Sequence, residues 1–283
     1  MPEFIGNMFR WMLAPMEDYT DNAFRTLCFK YGAELTFTEM AKIDGLARKN
    51  KATLNKIKIL NSTPTEIQLV LGKEEMLEKF LKDFTPTDGF EGFNFNYGCP
   101  APEITKLGRG CAMVKRISKT NRLIEIVKKY NHSVSIKMRL GETAYEKKMK
   151  AYLNLINNTN PDYFIVHART GVETYSHKSD FSVFAECVDT GKIIIANGDI
   201  DTKEKTDELN RIGIQGAMIG RAAVRDPCIF NRLMGARELP TIEQLKKEYS
   251  DFAMLYSSDA RHKKNVLMRM GQNFSPKALG NDA

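Results

Sequence analysis

The sequence predicts a (β/α)8 barrel followed by a short helical C-terminal appendage. Three observations point there. Eight short apolar runs alternate with helix-like segments, at spacings of roughly 23 to 41 residues. Several runs, such as DYFIVHA and KIIIANG, are continuously apolar, as strands buried on both faces of a parallel sheet are. And 283 residues suit one barrel of roughly 250 residues with a small addition.

The first run, 11–15, is followed by a helix over 21–30, with Asp21 as N-cap and Gly32 just past the end. Runs at 35–37, 67–71, 93–95, 134–138, 163–166, 193–196 and 217–219 complete the eight strands. The segment 74–84 places Met76, Leu77, Phe80, Leu81 and Phe84 on one helical face, and 120–130 repeats this with Leu123, Ile124 and Val127. A doubly wound sheet lacks its main support, because there is neither GxGxxG nor GxxxxGK[ST]. Residues 1–240 therefore form the barrel. Residues 241–283 read as one or two polar helices, broken at the end by Gly271, Ser275, Pro276 and Gly280.

Composition excludes several classes. Hydrophobic residues make 42% and charged residues 27%, which rules out collagen-like, disulfide-scaffold and disordered chains. No window approaches 18 uncharged apolar residues, and the opening stretch carries Glu3 and Arg10, so no spanning or leader segment is expected and the protein is placed in the cytoplasm. Five scattered cysteines without a CxxC pair fit reduced thiols and argue against a zinc site. The net charge of +7 is uneven. Residues 103–150 hold 13 Lys and Arg against 4 Asp and Glu, and residues 41–60 hold 6 against 1. Most such runs are solvated helix faces, but two in one chain leave a phosphate-rich ligand open.

Barrel chemistry belongs at the C-terminal strand ends. Those positions hold Met16 and Glu17, Glu39, Gln68, Asn96 and Cys99, Lys137 and Arg139, His167 and Arg169, Asn197 and Asp199, and Gly220 with Arg221. One such residue would be a loop cap; together they read as an active site. With no His cluster a catalytic metal is not expected. Amide and cationic donors, with a phosphate site formed by Gly198, Gly220 and Arg221 after the last two strands, suit FMN. Cys99, between Gly98 and Pro100, reads as a turn thiol able to act as a general acid, whereas Cys28, Cys111, Cys187 and Cys228 read as packing.

These residues lie in a series of recognisable segments: LAPMEDYTDNAFR, QLVLG, FNFNYGCPAP, SIKMRLG, VHARTG, IIIANGDI and AMIGRAAVRDPCIF. In that order, over residues 13–233, the chain resembles the tRNA-dihydrouridine synthases. The resemblance implies that Pro15, Met16 and Glu17 line the flavin, that Gln68 bonds its ring, and that Lys137 lies near its pyrimidine edge. It places His167 at the flavin or its phosphate, and Asn197, Gly198, Asp199, Gly220 and Arg221 at the ribityl chain and phosphate. Asn96 and Arg139 would shape the uracil pocket, and Cys99 would protonate uracil C5 while hydride from flavin N5 reaches C6. NADPH, or NADH, would be the reductant and tRNA the partner. Independently of the resemblance, Lys106, Arg109, Lys115 and Arg116 directly follow the Cys99 loop in the basic stretch, so some of them are expected near the RNA. Ala168 stands where that family commonly has Gly, and only 43 residues follow Pro240.

Three other readings share these residues. An FMN barrel acting on a small dihydropyrimidine-like molecule would leave the basic surface incidental. An RNA-binding barrel without flavin would leave Cys99, Lys137 and His167 unused. A Lys137 Schiff-base enzyme would need no flavin.

Overall fold

Nine strands pair in parallel in the computed structural model, which describes residues 9–272. They are β1 (Arg10–Leu13), β2 (Thr36–Phe37), β3 (Ala41–Lys42), β4 (Thr65–Val70), β5 (Phe90–Tyr97), β6 (Val134–Arg139), β7 (Tyr163–His167), β8 (Ile194–Asn197) and β9 (Gly216–Ile219). Both β2 and β3 pair with β4 and share one place in the ring. The result is a nearly closed barrel of eight parallel positions, running from β1 through β9, β8, β7, β6, β5 and β4 to β2. Closure rests on one bridge, Met12 to Leu35, where the Leu13 N–H donates to the Leu35 carbonyl at 2.9 Å. Each predicted run is a strand; the second, 35–37, is followed after residues 38–40 by a short strand the sequence did not predict, β3.

Side chains alternate between the two faces of each strand. Outward residues such as Leu69, Phe93, Phe95, Ile136, Val166 and Ala196 join the main core between strands and helices. Inside the ring the packing is lopsided. Met12, Leu35, Phe37, Tyr163, Ile165, Ile195 and Met218 form an apolar cluster, while β4 to β6 place Glu66, Gln68, Asn94, Asn96 and Ser135 opposite it, all buried.

The helices follow their sequence signals. Asp21 caps the helix Asn22–Lys30 by accepting the Phe24 N–H at 2.9 Å, a bond that stabilises by about 1 kcal/mol. The helix Glu74–Asp83 buries Leu77, Phe80 and Leu81, with Met76 and Phe84 half-covered. Ile117–Lys129 buries Leu123, Ile124 and Val127. Each such side chain removed from water contributes roughly 1.5–3 kcal/mol.

Beyond Pro240 lie two helices. Ile242–Leu255 begins in a capping box of Thr241 and Gln244. It packs along Asn22–Lys30 through Leu245, Tyr249 and Ala253, with Tyr249 edge-on to Phe24 and Glu248 paired to Lys30. Ala260–Arg269 reaches the loops after β1 and β2: His262 Nε2 meets Glu39 at 3.1 Å, and Asn265 donates to the Asp18 carbonyl. Ser275, Pro276 and Gly280 lie outside the described residues. Among the described residues no helix is long and apolar enough to cross a membrane.

Candidate active site

At the C-terminal strand ends the barrel opens into a cavity of about 820 Å3. It is lined by fourteen of the positions singled out above: Pro15, Met16, Glu17, Gln68, Asn96, Cys99, Lys137, Arg139, His167, Asn197, Gly198, Asp199, Gly220 and Arg221. Glu39, Arg169, Lys106, Arg109, Lys115 and Arg116 are not among them. Lys106 is exposed on the turn after the Cys99 loop, and Arg109 is ion-paired to Asp44.

Cys99 is held by its backbone. Asn96 Oδ1 accepts the Cys99 N–H at 2.8 Å and the Gly98 N–H at 3.2 Å, and the Cys99 carbonyl accepts the Cys111 N–H at 3.0 Å. That last contact needs glycine at 110, where φ is +60° and a Cβ would sit 2.4 Å from the Cys99 oxygen. Burial raises the Cys99 pKa against the pull of the Ala101 backbone, so the group is a protonated thiol at neutral pH. Cys111 is packed away, as are the other three cysteines.

Lys137 reaches the cavity from β6 and has no hydrogen-bond or ion-pair partner among the described residues. Burial, aided by nearby Arg139, pulls its pKa down to about 7. Arg139 itself is clamped by the carbonyls of Thr170 (2.7 Å) and Glu173 (2.9 Å).

The far wall is a charged cluster. Asp199 pairs with Arg169 at 2.5 Å and with Arg221 at 2.7 Å. Arg169, almost fully buried, also donates to His167 Nε2 at 3.0 Å. An arginine can only donate, so this nitrogen is the acceptor and the ring is neutral. Burial and the surrounding cations, Lys137 foremost, push the His167 pKa well below its usual value, in agreement. Tyr175 closes the wall, its ring 4.0 Å from the Arg221 guanidinium and nearly parallel to His167. Gly198, at φ +110°, lets the chain pass where a Cβ would meet Ser179 Oγ at 2.4 Å; that buried hydroxyl has no hydrogen-bond partner among the described residues.

Against this geometry the comparisons with known proteins are decisive. The family model described as Dihydrouridine synthase (Dus) matches residues 12–276. The chain belongs to the dihydrouridine synthase family. A relative from Helicobacter pylori, named probable tRNA-dihydrouridine synthase, is 34% identical over 248 residues, covering 82% of this chain and 73% of its own. One from Pseudomonas syringae, named tRNA-dihydrouridine synthase B, is 28% identical over 245 residues, covering 84% and 72%. An old yellow enzyme homologue from Zymomonas mobilis is similar in fold, with a TM-score of 0.55 and 14% identity over 86% of this chain and 95% of that one.

This dihydrouridine synthase barrel also lines its cavity with residues that sequence reasoning passed over. Lys42 and Lys56 lie within the basic stretch 41–60, so each carried a usable signal. Tyr175, in a turn-rich run, and Arg261, from the last helix, carried none. Glu17, Asp18 and Glu39 converge at the mouth, each beside its own cation: Lys56, Arg261 and His262. Burial raises the Glu17 pKa, and one of its oxygens is buried without a hydrogen-bond partner among the described residues.

Proposed function

We propose that this chain reduces the C5=C6 bond of uridine in tRNA, using FMN and a nicotinamide reductant, NADPH or NADH. One observation carries the reading: an amine without a partner among the described residues, Lys137, and a protonated thiol, Cys99, open into one cavity whose opposite wall holds Arg221, Asp199 and Gly198. The donor set fits FMN. Lys137 and the amide N–H groups of Gln68 and Asn96 suit the acceptors of an anionic ring, while Arg221, Gly198 and Gly220 suit its ribityl phosphate.

FMN, when bound, supplies the hydride that adds to uracil C6. Cys99 supplies the proton to C5, and its raised pKa keeps that proton available at neutral pH. The resulting thiolate is reprotonated from water. Lys137 counters negative charge on the cofactor side, and Arg139, fixed by two carbonyls, borders the pocket for the base. A uracil stacked in RNA cannot enter this recess, so the base leaves its stack first. From the basic stretches, Lys42 and Lys56 at the mouth and the exposed Lys106 beside the Cys99 loop supply phosphate contacts.

The test is mass mapping of dihydrouridine in unmodified tRNA incubated with the full chain, FMN and NADPH. Reduced uridines at defined positions are expected. Turnover of free uracil-like compounds with none of tRNA would replace this reading with the small-molecule one.

A further inference from the structure

From the cavity floor inward runs a row of buried polar side chains whose deeper members, Asn94, Ser135 and Glu66, the proposed reaction leaves unused. It begins at Cys99, whose N–H donates to Asn96 Oδ1. A backbone N–H can only donate, so Asn96 must turn its oxygen to the loop and its Nδ2 to Gln68 Oε1, 2.9 Å away. Gln68 must then aim Nε2 at Asn94 Oδ1 (2.8 Å), and Asn94 must aim Nδ2 at Ser135 Oγ (2.7 Å). The row ends on Glu66, which faces the Ser135 hydroxyl at 2.5 Å and the Tyr163 hydroxyl at 2.7 Å. Turning any one amide over would set oxygen against oxygen, or N–H against N–H, in a dry interior. Ser135 can accept from Asn94 whether or not Glu66 carries its proton, so the direction of the row does not depend on that charge.

We propose that Asn94, backed by Ser135 and Glu66, is a positioning residue that locks the Gln68 and Asn96 amides in one orientation and, through Asn96, holds the Cys99 loop. The lock also sets what the floor offers a ligand. The Asn96 oxygen is taken by two N–H groups, and its remaining amide hydrogen has only Met40 Sδ, at 3.8 Å, for company. Gln68 Nε2 keeps one hydrogen uncommitted. A ring that presents carbonyl or imine acceptors to this floor is met by donors, and one that presents N–H groups is not. Only the role of Cys99 as proton donor rests on the function proposed above.

The test compares three variants of the full chain by the rate at which iodoacetamide alkylates Cys99, followed by peptide mass spectrometry, with packed Cys111 as internal control. This readout needs neither flavin nor RNA. Asn94→Leu keeps the forked shape, with bulkier methyl ends, and removes both polar atoms. Asn94→Asp keeps an oxygen opposite Gln68 Nε2 and can accept the Ser135 hydroxyl. Ser135→Ala removes only the far anchor. Faster alkylation is expected for Leu and Ala, by at least about fivefold, with Asp within about twofold of the parent. If the position matters only for packing, Leu resembles the parent and the buried carboxyl of Asp is the worst of the three; that order, or no change in any variant, overturns the proposal. Should Asn94→Leu fail to fold, Ser135→Ala against Asn94→Asp makes the same comparison. A parent that forms no dihydrouridine would sink the proposed function and leave the alkylation result to judge the lock.

Discussion

Cys99 and Cys111 share a hydrogen bond and have opposite fates. The Cys99 thiol opens to the cavity, whereas Cys111 is sealed beside Gly171 and burial pushes its pKa up to about 12. Cys99→Ala is therefore expected to lower tRNA reduction by at least about a hundredfold, while the purified protein keeps a flavin absorption band; Cys111→Ala should stay within a few-fold. Equal turnover by the Cys99 variant would remove it as the acid. The turn residues around Cys99 made this distinction readable in the sequence. The state of His167 was not readable, because it is decided by Arg169 and Lys137 arriving from two strands, and only three-dimensional neighbours fix a pKa.

The strands carried a signal finer than their apolar runs. FNFNY in β5, EIQ in β4 and SIK in β6 alternate strictly, whereas FIV in β7 and III just before and within β8 do not. That contrast is the polar half of the interior facing the apolar half. Strand positions and helix faces were legible because period and capping are local; the short strand β3 was not, because it depends on how β4 pairs with both β2 and β3. Glu66 shows the cost of a polar interior. Burial raises its pKa from 4.5 to about 8, against the two hydroxyls that favour its ionised form. A raised folded-state pKa gives stability that is complete below 4.5 and lost as pH rises through about 8. Glu66→Gln cannot ionise, so its stability relative to the parent should improve by a few kcal/mol between about pH 5 and pH 8.5, read by urea unfolding at both. A constant difference across that range would show that Glu66 is already ionised in the native state.

On the scale of the whole molecule, charge and the terminal helices matter most. The uneven basic surface was plain in the sequence, but which cations are free was not: Arg109 is held by Asp44, while Lys106 is exposed beside the Cys99 loop. Lys106→Ala should weaken tRNA binding and reduce its log–log salt slope by about one, with Arg109→Ala acting mainly on stability. An unchanged slope for Lys106→Ala would place the RNA elsewhere. The last helix is fastened by His262. Burial alone would lower its pKa, but the bonds to Glu39 and Asp259 win and raise it to about 9. Its contribution is thus complete below 6.5 and lost as pH rises through about 9. Hydrogen-exchange protection of Ala260–Arg269, corrected for intrinsic rate, should fall across that window in the parent and show no such fall in His262→Ala.

The two loops that His262 and Asn265 grip, at Glu39 and Asp18, leave the strands on either side of the single bridge that closes the ring. The tail is a hoop across the one loose stave. Cutting the chain after Pro240 to make a minimal enzyme would let that stave spring, and Met16 and Met40 would lose their register over the floor before any helix unwound.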